Sequence, residues 1–373
     1  MDAPDTHIEH MREALALAER GLGHVSPNPM VGAVVVEPSG ATIGRGWYVG
    51  PRGRPHAEVH ALRQAGDRAR GATLYCSLEP CDHHASTPPC TDALIEAGVA
   101  RVVVAAADPN PLVDGRGIAR LRSAGIEVID GVLAEEAHRR NCAFNRHITT
   151  GMPFVIWKVA TSLDGKTAAH DGSSRWITSP EARADAHQLR AWSDAIVVGV
   201  GTVLADDPHL TVRATELAAA WQPTRVVVDS SGRADPVAAV FAGDAPTLIV
   251  TTERAPEARI RSWEAAGAEV IVLEADGSGG VSPLSLMAAL GKRDIQGVLL
   301  EGGATLAWSF LRDDAIDRIV QYIAPLVVAG ATAHGAAAGA GFAPIDAARG
   351  VSFRRVERVG PDLRVEADVH GNH

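Results

Sequence analysis

Residues 56–90 read HAEVHALRQAGDRARGATLYCSLEPCDHHASTPPC, and this stretch decides the first half of the fold. A helix is predicted from His56 to Gly66, because apolar residues recur at helical spacing and glycine commonly ends a helix. The next run, GATLYCSLE, is typical of a buried strand. A second helix is predicted to begin at the Pro-Pro-Cys of residues 88–90, since proline is favoured at a helix start. This alternation of helix and strand indicates an α/β architecture with a largely parallel sheet.

The same stretch carries side chains that suit a catalytic zinc ion. His56, Cys81 and Cys90 supply one imidazole and two thiolates, a set of three ligands that leaves a fourth position for water. Glu58 follows His56 by two residues, close enough to take a proton from that water and return it to a ring nitrogen and a leaving amine. His-x-Glu followed by two Pro-Cys pairs, each expected to open a helix, is the pattern of zinc deaminases that act on nucleobases. We expect His56 in the first turn of its helix, where the helix dipole favours anionic groups.

Other interpretations of the nearby histidines and cysteines stay open. Cys76 stands in an apolar strand and Cys142 in a polar helix, so we interpret both as thiols outside the site. His83 or His84 could add a fourth ligand, which would make the zinc structural. Glu58 favours a catalytic zinc, because a structural site has no use for an acid beside an open position.

Length and charge limit the class of protein. At 373 residues the chain exceeds what one hydrophobic core usually supports, so two domains are expected. The formal net charge of −10 argues against broad binding to nucleic acid, which needs clustered Lys and Arg. A few arginines could still bind a phosphorylated small molecule. No apolar run reaches the ~18 residues of a membrane span and no signal-peptide block opens the chain, so we expect a cytoplasmic protein without membrane contact.

The domain division is predicted from a polar helical stretch at residues 132–152, which we interpret as a connector. It gives a first domain of residues 1–147 and a second of residues 148–373. The second domain repeats the strand–helix alternation and then passes through a Gly/Ala-rich loop at residues 329–344. It closes with a hairpin about residues 360–362.

Spacing and flanking motifs identify a family resemblance. Eight residues separate Cys81 from Cys90, whereas nucleic-acid and cytidine deaminases have two between the cysteines. With SPNPMVGAVVV upstream and ADPNP downstream, the zinc stretch resembles the bifunctional pyrimidine deaminase/reductases of riboflavin biosynthesis. The later motifs WKVATSLDGKTA, GSSRWIT, HQLR, GVGTVLADDPHLTVR, VVDSS and EGGATL resemble the reductase half of the same enzymes. The resemblance implies an α/β protein with a cytidine-deaminase-like three-layer domain followed by a dihydrofolate-reductase-like domain.

The resemblance also implies the reactions and the residues that serve them. One catalytic Zn2+ would support hydrolytic deamination of 2,5-diamino-6-(5-phosphoribosylamino)pyrimidin-4-one, and NADPH would then reduce the ribosyl group to ribityl. We expect this phosphorylated pyrimidine and other copies of the chain, as a homo-oligomer, to be the partners. The cofactor-binding residues implied are Ala160, Trp176, Thr202, Asp206, Ser230, Gly303, Ala304, Thr305, Leu306, Ala307, Trp308 and Ser309. The substrate-binding residues implied are Asn28, His83, Thr87, Ser174, Arg190, Leu210, Arg213 and Glu301.

Several of these side chains suit the reduction chemically. Arg190 and Arg213 could hold the 5′-phosphate as bidentate donors. Glu301 could accept hydrogen bonds from sugar hydroxyls or help transfer a proton. Lys158 interrupts an apolar strand, and a buried lysine is seldom unpaired, so we expect it to contact substrate or a carboxylate such as Asp164.

The chain departs from the family pattern beside the zinc motif. The family usually has Gly and then Lys or Arg where this chain has Ala85 and Ser86, and it usually has a histidine near Tyr48. The missing cation would have met the substrate phosphate. Arg52 or Arg54 is predicted to compensate, although both are equally typical of solvated loop charges.

Three other functions remain open at this stage. The chain could be a nucleic-acid or nucleoside deaminase with an appended domain, although the long gap between the cysteines and the acidic balance disfavour it. It could be a zinc-stabilised binding or regulatory protein. It could also be a reductase with a weakened deaminase half, given the residues at positions 85 and 86.

Overall fold

The computed structural model describes residues 5–50, 54–84, 87–213 and 222–369. Contacts between Cα atoms divide the chain into two units, the first ending at Gly151 and the second beginning at Met152. This boundary lies close to the division expected between residues 147 and 148.

The described part of the first unit is built on a five-stranded sheet. Its elements are α1 (Asp5–Ala18), β1 (Gly32–Val36), β2 (Thr42–Trp47), α2 (Ala57–Ala65), β3 (Thr73–Cys76), α3 (Cys90–Ala97), β4 (Arg101–Val104), α4 (Arg116–Ser123), β5 (Glu127–Ile129), α5 (Ala134–Arg140) and α6 (Cys142–Thr150). The strand order is β2-β1-β3-β4-β5, with β1 antiparallel to both its neighbours and β3, β4 and β5 parallel. The hairpin of β1 and β2 therefore makes this sheet mixed rather than largely parallel.

Strand β1 shows why this unit has three layers. Successive residues of a strand point to opposite faces of the sheet. Ala33 and Val35 pack on one face with residues of α2 and α3. Val34 and Val36 pack on the other face with residues of α1. Every residue of β1 is buried as a result, and the expected three-layer domain is confirmed.

Two glycines of β2 let α2 lie directly against the sheet. A Cβ atom on Gly44 would stand 2.1 Å from the carbonyl oxygen of Ala61, and one on Gly46 would stand 2.0 Å from that of Ala57. Both distances are far shorter than a van der Waals contact. The absence of side chains at these positions therefore fixes how closely α2, and the residues at its start, approach β2.

The described part of the second unit holds a nine-stranded sheet. Its elements are β6 (Phe154–Ser162), α7 (Pro180–Ala191), β7 (Ala195–Gly199), α8 (Val200–Asp206), β8 (Thr224–Val228), β9 (Thr247–Thr252), α9 (Glu257–Ala265), β10 (Glu269–Leu273), α10 (Pro283–Gly291), β11 (Gly297–Leu300), α11 (Ala304–Arg312), β12 (Arg318–Ala324), β13 (Ser352–Val359) and β14 (Asp362–Asp368). The strand order is β10-β9-β8-β7-β11-β6-β12-β14-β13, and the strands are parallel from β10 to β12. The C-terminal hairpin of β13 and β14 adds the antiparallel edge, as predicted.

Two features of the helices differ from the sequence-based expectation. Helix α8 was not predicted, because a helix of only seven residues leaves too short a periodic pattern. The predicted connector forms α5 and α6 and belongs to the first unit. The Asn141 side chain between these helices makes two hydrogen bonds of 2.9 Å with the backbone of Met30.

Among the described residues, no helix is both long and apolar enough to cross a membrane.

Candidate metal centre and reductase site

Three side chains of the first unit converge on one point, the set that the sequence predicted as zinc ligands. His56 Nδ1 lies 3.1 Å from Cys90 Sγ and 3.6 Å from Cys81 Sγ. All three donor atoms lie within 4.8 Å of one another, and within the described ranges no other group of His, Cys, Asp and Glu side chains does so. One imidazole and two sulfurs at this separation are a donor set that zinc prefers.

The three ligands come from different local structures. His56 is the N-cap of α2 rather than a residue of its first turn, and Cys90 is the first residue of α3. The expectation that Pro80-Cys81 opens a helix is wrong, since Cys81 lies in a loop after β3. The following residues, DHH, are turn-forming and polar, which explains why no helix starts there.

The contact between the two thiols shifts their pKa values in opposite directions. The hydrogen bond from Cys90 lowers the pKa of Cys81 to about 4, and the same contact raises the pKa of Cys90. His83 and His84, the residues that could have closed the zinc site, are not in the group of converging atoms. The geometry therefore fits the catalytic type of site, in which three protein ligands leave one position open.

Glu58 lies in the first turn of α2, beside this group. Its side chain is only 3% exposed, and its Oε2 atom has no hydrogen-bond partner among the described residues. Burial raises the pKa of its carboxyl. A buried carboxylate oxygen without a partner is costly unless something absent from the chain itself interacts with it. This orphaned oxygen is the observation that fits a bound metal and water.

Two of the predicted substrate residues of this half surround His56. Thr87 Oγ1 lies 3.4 Å from His56 Nε2, the ring nitrogen that does not face the cysteines. A partner on the second nitrogen fixes the orientation of a metal-ligating histidine. Asn28 donates to the Tyr48 hydroxyl at 3.3 Å, and the Tyr48 ring meets the His56 ring edge-on at a centroid distance of 5.6 Å. His83 Nδ1 is buried with no described partner.

The residues that depart from the family pattern are only partly described. Arg52, Ala85 and Ser86 lie outside the described residues, so the compensation proposed for Arg52 stays a prediction. Arg54 is described and is exposed, so it is free to meet an anion in solution.

One acidic residue near the metal centre was not singled out from the sequence. Asp108 is 7% exposed, and burial raises its pKa to about 6, with smaller contributions from Glu79 and Cys81. It belongs to the ADPNP motif after β4. The motif is part of the family resemblance, but nothing in it indicates a buried carboxyl, because burial depends on residues distant in the chain.

In the second unit, the structure assembles Lys158, Arg190 and Glu301. Arg190 donates to both carboxylate oxygens of Glu301, at 2.7 and 2.8 Å, and also to the carbonyl oxygen of Thr211. Lys158 Nζ lies 3.8 Å from Glu301 Oε2. The carboxylate partner of Lys158 is therefore Glu301 and not Asp164, which instead accepts from Ser162 and from the backbone of the loop after β12.

These contacts set the charge of Glu301. Burial alone would raise the pKa of this carboxyl, but Arg190 and Lys158 outweigh burial and bring it to about 2. Glu301 is thus a carboxylate at neutral pH, which fits an acceptor of sugar hydroxyls and does not fit a proton donor. Arg190 already uses its bidentate edge on Glu301, whereas Arg213 is exposed.

A histidine missed by sequence reasoning lies in the same cluster. His187 is on α7, and its Nδ1 accepts from the backbone N–H of Arg213 at 3.3 Å. Burial, together with Arg190 and Arg213, lowers its pKa to about 4. The HQLR motif contains this residue, but its partners are brought together only by the fold.

Several of the predicted cofactor-binding residues lie at the starts of two adjacent helices. Helix α8 follows β7 and helix α11 follows β11, and these two strands are parallel neighbours in the sheet. Thr202 of α8 and Gly303, the N-cap of α11, are close, since a Cβ on Gly303 would lie 3.4 Å from Thr202 Oγ1. Paired helix N-termini suit the phosphates of a dinucleotide. Residues 303–309 span the first turns of α11.

The other predicted residues of the reductase half are more dispersed. Ser174 and Trp176 line one pocket with Leu326 and Val328. Trp176 is 68% exposed, a large aromatic surface open to a ligand. The remaining predicted residues are described without a contact that assigns them a role: Ala160 on β6, Asp206 at the end of α8, Leu210 buried after it, and Ser230, whose hydroxyl accepts from Val281 N–H.

Comparison with known proteins decides the family. The model of the cytidine and deoxycytidylate deaminase zinc-binding region matches residues 4–106, and the model of the RibD C-terminal domain matches residues 153–365. The chain is 43% identical to riboflavin biosynthesis protein RibD of Escherichia coli K12 over 364 residues, which cover 95% of this chain and 97% of that protein. The chain belongs to the RibD family. It is also 44% identical to the RibD protein of Mycobacterium tuberculosis H37Rv, with 95% and 96% of the two chains covered.

Solved RibD structures agree with the fold described above. RibD from Acinetobacter baumannii matches with a TM-score of 0.85 and 38% identity, covering 98% of this chain and 99% of that chain. The deaminase/reductase from Thermotoga maritima matches with a TM-score of 0.85 and 36% identity, over 98% and 99% of the two chains. Both RibD halves are present, so the chain is a bifunctional enzyme of riboflavin biosynthesis, a deaminase joined to a reductase. The deaminase half binds zinc, and the reductase half uses a nicotinamide cofactor.

Proposed function

We propose that the chain deaminates 2,5-diamino-6-(5-phosphoribosylamino)pyrimidin-4-one and then reduces the ribosyl group of the product with NADPH. One observation carries the first step. Three zinc-type donors lie within 4.8 Å of one another, and the buried Glu58 carboxyl beside them has an oxygen without a partner. A binding protein with structural zinc has no use for this arrangement.

In the deaminase half, each residue has a separate task. His56, Cys81 and Cys90 would hold the zinc, which would supply a Lewis acid for activating water near neutral pH. Glu58 would accept one proton from the attacking water and deliver it to the ring nitrogen, and would then carry the second proton of the same oxygen to the amine, which leaves as ammonia. Asn28 offers a donor and an acceptor to the edge of the pyrimidine.

His83 and Thr87 complete the contacts that we propose for the pyrimidine half-reaction. Thr87 contacts the His56 ring and so stands beside the metal centre. His83 keeps a buried ring nitrogen that no described residue contacts. A substrate group is a natural partner for such a nitrogen.

In the reductase half, bound NADPH would supply a hydride to the sugar C1′, and the ring oxygen released from C1′ would take up a proton from solvent. The N-termini of helices α8 and α11 would hold its phosphates, and Thr202 and Gly303 lie close together there. Glu301 accepts hydrogen bonds from the sugar hydroxyls, and Lys158 contacts the sugar beside it. Arg213 binds the 5′-phosphate, since Arg190 is engaged by Glu301 and mainly holds that carboxylate in place.

We also infer that the working form is a homo-oligomer in the cytoplasm. In the described chain, β13 is an edge strand of the second sheet, and it carries Phe353 at 73% and Val356 at 59% exposure. Four of the eight residues of β13 are charged, but its exposed apolar side chains and its unpaired backbone edge still favour pairing with another chain. The mass of the purified protein in solution tests this inference.

The substitution Glu58→Gln tests the assignment of the first step. Glutamine keeps the shape of the side chain but cannot carry the proton, so release of ammonia from the diaminopyrimidinone phosphate should fall by at least about 100-fold. Oxidation of NADPH with the already deaminated substrate should continue at the wild-type rate, and the zinc content should stay near one equivalent. Wild-type ammonia release by this variant would contradict the proposed role of Glu58. A wild-type chain without zinc would contradict the metal centre.

A further inference from the structure

The loop that carries Cys81 has no helix or strand of its own, so contacts with neighbouring elements must hold it in place. Cys81 follows β3 without entering a helix or strand, whereas His56 and Cys90 are each fixed at the start of a helix. A metal ligand on a loop is held less firmly than one on a helix, unless other contacts restrain it. Three such contacts come from α4.

The first two contacts hold the residues before Cys81. Glu79 accepts from the backbone N–H groups of Gly115 and Ile118, at 3.0 and 3.2 Å, at the start of α4. Gly117 stands against the next residue, since a Cβ there would lie 1.9 Å from the carbonyl oxygen of Pro80. The backbone of α4 therefore lies directly on the loop.

The third contact holds the residue after Cys81 and connects both cysteines. Asp82 Oδ1 accepts from the Arg120 guanidinium of α4 at 2.8 Å and from the Thr91 hydroxyl at 2.7 Å. Thr91 follows Cys90 directly and is fully buried. Asp82 thus bonds to the neighbour of the second cysteine while it is itself the neighbour of the first.

Two further hydrogen bonds join Cys81 to the start of α3. The Thr91 N–H donates to the carbonyl oxygen of Cys81 at 3.3 Å, and the Cys90 N–H donates to Cys81 Sγ at 3.4 Å. With the bond from the Thr91 hydroxyl to the Asp82 side chain, three hydrogen bonds join the Cys81 loop to α3.

We propose that Asp82 is a positioning residue, which holds the loop of Cys81 against α3 and α4 and so sets the separation of the two thiolate ligands for zinc. This inference rests on the proposed zinc ligands.

The charge and burial of the three side chains agree with this role. The Asp82 side chain is 19% exposed and the Arg120 side chain 42%. The ion pair between them is partly solvated and by itself would contribute little. The hydrogen bond from Thr91 is enclosed, so its loss would leave a buried hydroxyl without its acceptor. We therefore expect substitution of Thr91 to weaken zinc binding as clearly as substitution of Asp82 does.

Zinc affinity of the full chain, measured by competition with a chromophoric chelator, tests the proposal. Asp82→Ala should weaken zinc binding by about 10- to 100-fold, the range typical for residues that support metal ligands. Thr91→Val removes the hydroxyl and should weaken binding similarly, whereas Thr91→Ser keeps the hydroxyl and should retain affinity. The visible spectrum of the cobalt-loaded chain should shift for Asp82→Ala and Thr91→Val only, since that spectrum reports ligand geometry.

Asp92→Ala provides the matched control. Asp92 also pairs with Arg120, but its side chain is 41% exposed and among the described residues bonds only to Arg120, so its truncation should change zinc affinity less than about threefold. Wild-type affinity in both Asp82→Ala and Thr91→Val, or an equal loss in Asp92→Ala, would overturn the proposal. Should Thr91→Val not fold, Asp82→Ala decides by the same measurement. Absence of zinc binding in the wild-type chain would instead overturn the proposed metal centre, so the two failures are distinguishable.

Discussion

His187 stands in a cluster of charged side chains and is itself neutral in the folded protein. Burial, together with Arg190 and Arg213, lowers its pKa from 6.5 to about 4. Its Nδ1 accepts a hydrogen bond from the backbone, which requires that this nitrogen be unprotonated. A neutral histidine can thus lie beside the Glu301 carboxylate without adding to the positive charges of Arg190, Arg213 and Lys158.

This neutral state predicts how stability depends on pH. Between pH 6.5 and about 4 the unfolded chain binds a proton at His187 that the folded chain does not, so the free energy of unfolding falls as pH falls through this range. The variant His187→Gln lacks this group and should lose less stability over the same range. Urea midpoints of both proteins at pH 7 and pH 5 measure the difference. Equal losses in the two proteins would contradict the neutral state of His187.

At the scale of elements, the distance of helix α2 from the sheet matters, because the start of this helix carries Glu58, the proposed proton-transfer residue, and His56, a proposed zinc ligand. A Cβ on Gly46 would stand 2.0 Å from the carbonyl oxygen of Ala57, the first residue of α2. Any side chain at this position must push away the end of the helix that holds His56 and Glu58.

The substitution Gly46→Ala should therefore destabilise the protein by about 1–3 kcal/mol, the usual cost of overpacking. Ammonia release should fall more than NADPH oxidation with deaminated substrate, because the displaced helix belongs to the deaminase unit. Gly350→Ala is the control, since no atom lies within 4 Å of a Cβ at that position and its backbone is not left-handed. A Gly46→Ala protein with wild-type melting temperature and ammonia release would show that α2 does not need this close approach.

Elements with a long periodic pattern were predictable from the sequence, and the contacts between distant elements were not. The hairpin of β1 and β2, the helices α2 and α3 and the zinc residues all follow from local spacing. The bond between Arg190 and Glu301 joins residues 111 positions apart, and that between Arg120 and Asp82 joins residues 38 apart. No local pattern encodes such pairs. The loop position of Cys81 was mispredicted for a related reason, since Pro-Cys alone does not start a helix.

At the scale of the whole molecule, each of the two units contains the residues that we propose for one reaction. The metal centre and Glu58 lie in the first unit, and the Lys158–Glu301–Arg190 cluster and the paired helix starts lie in the second. The order of the reactions follows from their chemistry in our proposal. The reductase acts on the deaminated pyrimidine, so ammonia must appear before the cofactor is oxidised.

A single time course tests this central claim most directly. Purified chain loaded with zinc is given the diaminopyrimidinone phosphate and NADPH, and ammonia and NADPH are followed in the same sample. We predict that ammonia rises first, that NADPH oxidation follows after a lag, and that both end at one equivalent per substrate; without NADPH, ammonia should still reach one equivalent. Oxidation of NADPH without ammonia release, or ammonia release with no oxidation to follow it, would contradict the account.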